Sequence, residues 1–220
     1  MNTDSFVVRA LNKLTDLLVL NILFIICSLP VFTIGAAVTA MYAVSLRSVR
    51  YGDGYVVKTF FDAFKKNFAQ STIAWLIVMA VGAVLFFDLR FFGALSPEVS
   101  KICSGAVYVI AFFVWTVVTW LFPVISKMDD TLMVQVKNSA KMAFGFFIPY
   151  TILCLLIQGG AVYAAIHNVP FMMMMLLLGF SGISYICSFF VYKVFSRFID
   201  EEPASDDDLL YVKRDDDGPK

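Results

Sequence analysis

The stretch from Leu17 to Leu46 reads LLVLNILFIICSLPVFTIGAAVTAMYAVSL and carries no charge over 30 residues, with Asp16 before it and Arg47 after it. An apolar run of about 20 residues is long enough to cross the hydrocarbon core as a helix. This run is longer than one span needs and too short for two ordinary ones. Ser28-Leu29-Pro30 lies in its middle, followed by Thr33-Ile34-Gly35-Ala36-Ala37. Pro30 has no N–H and its ring clashes with the carbonyl four residues back, which predicts a kink or break there. Lipid cannot satisfy the backbone groups a break sets free, so protein or water must cover them.

The remainder follows the same solvent logic. Uncharged runs predict spans at about 17–42, 71–87, 102–126, 143–166 and 170–192. The expected fold class is all-α: a polytopic membrane bundle of five transmembrane helices, the first kinked or broken at Pro30. Met142 to Tyr192 alone gives 51 residues without an acid, lysine or arginine. His167-Asn168-Val169-Pro170 is its one turn signal and divides it into two spans. Three stretches have apolar residues at helical spacing with polar residues between them: about 5–16, 58–69 and 130–141. In the second, Phe60, Phe64 and Phe68 recur every four residues, with Lys65 and Lys66 among the polar positions. That stripe suits an interfacial anchor, or a docking helix for a partner subunit.

Charge is divided along the chain. Residues 1–199 hold 14 Lys/Arg against 8 Asp/Glu, and residues 200–220 hold 3 against 9. The first is a membrane domain; the second is expected to be a disordered, acidic, cytoplasmic tail. With five spans and loop 47–70 inside, 13 Lys/Arg lie inside and 4 outside, which puts the N-terminus outside and the C-terminus in the cytoplasm. A re-entrant opening run would move the N-terminus inside and make the count 15 against 2. Five full spans and an external N-terminus are the expectation.

Chemistry by known motifs is absent from the sequence. A single histidine excludes H-E-x-x-H, and neither G-x-S-x-G nor a phosphate-binding G-x-x-x-x-G-K-[ST] occurs. Cys27, Cys103, Cys154 and Cys187 show no metal-ligand spacing, and Met172–Met175 suit flexible packing. The expectation is a non-enzymatic protein with no cofactor, no metal and no nucleic-acid partner. The spans hold only mild polar groups. Asn21, Gln158, Ser181, Ser184 and Ser188 could hydrogen-bond between helices or line a site for a small solute, as in a transporter or channel. Gly35 with Thr39, and Ala36 with Ala40, are small residues four apart, fit for close contact with another span or with a partner.

Asn21, Ser28-Leu29-Pro30, the Thr33–Ala37 run and Phe60-Phe61-Asp62-Ala63-Phe64-Lys65-Lys66-Asn67-Phe68 resemble the YesL family, and the likeness covers most of residues 9 to 199. That family comprises small bacterial membrane proteins of unassigned molecular function. The resemblance implies a protein of the bacterial cytoplasmic membrane found beside carbohydrate uptake and breakdown genes. It therefore implies an accessory subunit or assembly partner for the membrane subunits of an ABC-type sugar importer.

Overall fold

The structure, a computed structural model, describes residues 3–52, 55–94, 96–145 and 148–198. The acidic tail, and the side chains of residues 5–9 in the amphipathic stretch 5–16, lie outside the described residues. Helices α1 (Thr3–Ser28), α2 (Ile34–Tyr51), α3 (Val56–Phe92), α4 (Pro97–Lys127), α5 (Leu132–Phe144), α6 (Ile148–His167), α7 (Val169–Met174) and α8 (Phe180–Phe198) follow one another. A 3₁₀ turn at Val31–Thr33 joins α1 to α2, and a π-helical turn at Met175–Gly179 joins α7 to α8. No strand occurs among the described residues.

Helix α2 is the centre of the bundle. Eleven of its eighteen residues are buried. Each of the three buried apolar clusters takes residues from it: Leu46 beside Trp120 and Val194, Ala40 and Val44 beside Leu20 and Phe60, Tyr42 beside Leu121 and Cys187. It is also the least apolar of the membrane-length helices. The two facts have one cause. A helix enclosed by other helices has no lipid to meet, so small and weakly polar side chains serve it better than bulky apolar ones.

The described residues contain six helices long and apolar enough to cross a membrane, where the sequence predicts five. The difference arises in the opening run. Helix α1 ends at Ser28, Pro30 is extended at φ −77° and ψ 114°, and α2 begins at Ile34. Each half then reaches membrane length by continuing into its polar flank: Ala10–Ser28 on one side, Val31–Tyr51 on the other. Thr33 closes the turn between them. Its hydroxyl lies 2.6 Å from the carbonyls of both Cys27 and Pro30, and Trp75 Nε1 donates to the Val31 carbonyl at 2.8 Å.

Other boundaries shift for local reasons. The amphipathic stretch 58–69 and the span 71–87 are one helix, α3, because nothing between Lys66 and Ser71 interrupts a helical backbone. Its 37 residues extend about 55 Å, well beyond a hydrocarbon core of about 30 Å. Pro123 is accommodated within α4. The span expected from 143 begins instead at Ile148, since Met142 and Ala143 complete α5 and pack into the core. The last membrane-length helix runs unbroken as α7, the π-turn and α8.

Candidate functional site

The polar groups of the spans fall into separate clusters, each built where two or more helices meet. The first surrounds Asn21, which is fully buried on α1. Its amide nitrogen donates to the Leu176 carbonyl at 2.6 Å, and its oxygen accepts from the Ser181 N–H at 3.1 Å. Those two backbone groups are five residues apart, the spacing of a π-helical hydrogen bond. Asn21 thus inserts its carboxamide into the backbone ladder where the π-turn gives way to α8. The Ser181 hydroxyl reaches the carbonyls of Leu17 at 2.8 Å and Leu178 at 3.1 Å. A Cβ at Gly179 would overlap the Met175 side chain one turn back in the same π-turn.

Ser184 belongs to a second contact, pairing with Ser45 of α2 at 3.2 Å. Ser188, one turn further along α8, is buried with no hydrogen-bond partner for its hydroxyl. Gln158 is elsewhere, on α6, where the Thr119 hydroxyl of α4 donates to its oxygen at 3.2 Å. Gln158 also hydrogen-bonds Tyr42 of α2 and Cys187 of α8. Of the five positions, read from the sequence as interhelical hydrogen bonds or as a polar lining, four make interhelical contacts and the Ser188 hydroxyl makes none. Asn21, Ser181 and Ser184 fasten helix to helix, while Gln158 meets α8 at Cys187.

The small-residue positions Gly35, Ala36, Thr39 and Ala40 are all buried inside the chain. A Cβ on Gly35 would stand 2.5 Å from both the Ser71 carbonyl oxygen and the Trp75 Cβ, so the backbones of α2 and α3 meet there. One turn on, the Thr39 hydroxyl bonds Ser71 at 2.8 Å and the Gly35 carbonyl at 3.0 Å. The phenylalanine stripe also faces inward at its start. Phe60 is fully buried against α1 and α2, Phe64 packs on the same cluster, and Phe68 is partly exposed. Their rings step along α3 at 6.1 and 5.4 Å. This stripe joins α3 to the α1–α2 pair, and Lys65 and Lys66 face solvent.

Two polar ties were not anticipated. Lys13 of α1 donates to the Ser48 hydroxyl and to the Gly52 carbonyl, fastening α1 to the far end of α2. Gln135, fully buried on α5, accepts from Gln70 at 2.7 Å and donates to the Met128 carbonyl at 2.7 Å. Beside it Lys66 pairs with Asp129 at 2.7 Å. The signal for Gln135 was a glutamine four residues before Ser139 on the apolar side of an otherwise regular amphipathic helix. Among the described residues, no three His, Cys, Asp or Glu side chains gather as metal ligands.

Comparison with known proteins places the same residues in a family. The family described as "Protein of unknown function, DUF624" matches residues 17–89, a range that holds Asn21, the Pro30 break, Gly35, the phenylalanine stripe and Trp75. "Uncharacterized protein YesL" of Bacillus subtilis (strain 168) is 32% identical over 154 residues, which cover 68% of this chain and 69% of that one. No solved structure matches the chain. With all-helical architecture, six membrane-length helices and a match of this extent, the chain belongs to the YesL family.

Proposed function

We propose that the chain is a non-enzymatic scaffold of the bacterial cytoplasmic membrane, accessory to an ABC-type carbohydrate importer. The observation that carries the scaffold reading is the use of the intramembrane polar groups. Asn21, Ser181, Ser184, Ser45, Thr39 and Ser71 are engaged with one another or with backbone. A solute-binding transporter needs such groups converging on a shared cavity. A scaffold uses them to hold helices in register, and the pairing of these six with one another or with backbone supports that reading. The importer as partner rests on the family resemblance, and the exposed polar half of α3 with α5 supplies a rigid face for it.

The proposal includes an orientation. Helices α1 and α2 form a hairpin, with Lys13 beside Ser48 at its open end and Leu29, Val31 and Phe32 exposed at its tip. Both ends of a hairpin lie on one side of the membrane, whether it crosses fully or only re-enters. The N-terminus is then cytoplasmic together with loop 52–55, the 128–131 turn and the C-terminus. Fifteen Lys/Arg fall inside and two, Arg90 and Lys101, outside, a stronger asymmetry than the external N-terminus gives. The tip itself is level with Trp75 of α3, 17 residues or about 25 Å before the end of that helix at Phe92. Its carbonyls are satisfied by Thr33 and Trp75, as a turn inside the hydrocarbon region requires.

The experiment is purification of the tagged full chain from native membranes in mild detergent, with its companions identified by mass spectrometry. The expected companions are the membrane subunits of a sugar importer. Uptake of labelled sugar by proteoliposomes holding this chain alone would replace the accessory role with transport.

A further inference from the structure

Between α3, α4 and α5 lies a groove of about 340 Å³ with an entirely apolar lining, walled by Ile77, Val81, Val117, Leu121, Val136 and Phe144 among others. Its direction is fixed at two levels. At one end Gln70 donates to Gln135 and to the Asp130 carbonyl, and Lys66 meets Asp129, so α5 starts beside the polar half of α3. At the other end the Phe144 ring stands 5.5 Å from that of Phe113, so α5 finishes against the apolar half of α4. The groove therefore leads from a polar margin into the apolar body of the bundle.

Two lysines stand at its edge. Lys137 and Lys141 are exposed on α5, and neither pairs with an acid among the described residues, whereas Lys66 is held by Asp129. Lys137 is seven residues from Phe144, nearly two full turns, and Lys141 is three residues from it. At 100° per residue both lysines fall on the strip beside the groove wall. We infer that this groove holds an acyl chain of one anionic phospholipid, with Lys137 and Lys141 on its phosphate.

The chemistry selects this occupant. In a bilayer an apolar groove gains little from one acyl chain over another, because the surrounding lipid is equally apolar. Selectivity must come from the headgroup, and two cations beside an apolar slot favour a net-negative one. Long lysine side chains reach along the helix to bring their ammonium groups to the headgroup layer. Removing one lysine should weaken binding roughly fivefold, and removing both should weaken it by more than tenfold.

Native mass spectrometry of the full chain tests this, using micelles that hold equal amounts of phosphatidylglycerol and phosphatidylcholine with identical acyl chains. The wild-type chain should retain one phosphatidylglycerol in preference to phosphatidylcholine. The variant K137Q/K141Q should lose that preference, and K137R/K141R should keep it. Val117→Phe, which fills the slot while leaving both lysines, should lose the retained lipid. Equal retention of the two lipids by wild type would overturn the proposal. So would a preference that survives K137Q/K141Q, since the headgroup would then be held elsewhere. Retention unchanged in Val117→Phe, with a folded protein shown by an unaltered melting midpoint, would overturn the groove as the acyl-chain site.

Discussion

Asn21 on α1 and Ser181 on α8 are 160 residues apart in the chain and joined at 3.1 Å, carboxamide oxygen to backbone N–H. The same carboxamide donates to the carbonyl of Leu176, so one side chain completes the backbone ladder of another helix. This is how a π-turn can persist where lipid offers no hydrogen bonds: the backbone groups it displaces are taken up by a buried side chain.

Asn21→Leu removes both bonds with the same number and branching of heavy atoms and leaves the Leu176 carbonyl and the Ser181 N–H without that partner. Interhelical hydrogen bonds in membranes average about 0.6 kcal/mol, but orphaned buried backbone groups cost about 1–3 kcal/mol each. The expected loss is about 2 kcal/mol, read as unfolding in mixed micelles. Ile22→Ala alters a half-exposed neighbour on the same helix and should change stability by less than about 0.5 kcal/mol. Equal effects from the two would show that Asn21 does not hold the turn.

The α2–α3 contact gives a test by addition rather than removal. A methyl group at Gly35 would meet Ser71 backbone and Trp75 Cβ at 2.5 Å, neither of which can swing away, whereas a methyl at Gly82 meets nothing within 4 Å. Gly35→Ala should lower stability by about 1–3 kcal/mol through overpacking. Gly82→Ala, within α3, should raise it slightly, by up to about 1 kcal/mol, from helix propensity. The comparison is a melting midpoint in detergent for each variant.

Much of this architecture was legible in the sequence because the bilayer permits few solutions. Runs without charge marked the membrane-length helices from α3 onward, and α1 ends at Ser28, two residues before Pro30. The interior was harder to read. Asn21 and Gln158 look alike in the sequence, as lone amides in apolar runs, yet one bridges a π-turn and the other joins Thr119 of α4 to Tyr42 of α2 and Cys187 of α8. Only the packing of distant helices distinguishes them. The π-turn left no local signal, since Met175–Gly179 is as helix-compatible as its neighbours apart from Gly179. Phe60 and Phe68 share a stripe in the sequence, but α1 ends up covering one and not the other. The count of spans failed at a definite place: charge-free length was measured from Leu17 to Leu46, while both helices of that run continue into their polar flanks.

Polar contacts at the α3–α5 junction should differ sharply in weight. Lys66 and Asp129 are 62% and 70% exposed, so solvent screens their attraction, and Asp129→Asn should cost less than about 1 kcal/mol. Gln135 is fully buried and satisfies both Gln70 and the Met128 carbonyl. Gln135→Leu strands those groups and should cost about 2 kcal/mol or more. Urea or thermal unfolding of the two variants would rank them, and a larger loss from Asp129→Asn would place the weight of the junction on the ion pair.

The orientation is decided by where the N-terminus lies, because an α1–α2 hairpin and a single first span differ there and nowhere else. Single cysteines are placed at Asn2, Lys58, Ser96 and Ser205 after Cys27, Cys103, Cys154 and Cys187 are changed to alanine. Lys58 and Ser96 are exposed in the structure, so silence at either cannot be ascribed to burial. Intact cells are then treated with a membrane-impermeant thiol reagent, and lysed cells serve as the control for reactivity. With the hairpin, only position 96 reacts before lysis and all four react after it. The physical reason is the charge asymmetry: fifteen cations on one side resist translocation far more than the two at Arg90 and Lys101. Reaction at position 2 together with position 96 in intact cells would restore a single first span with its N-terminus outside. Reaction at position 58 with silence at 96 would invert the whole protein and remove the cytoplasmic α3–α5 face on which the accessory role depends.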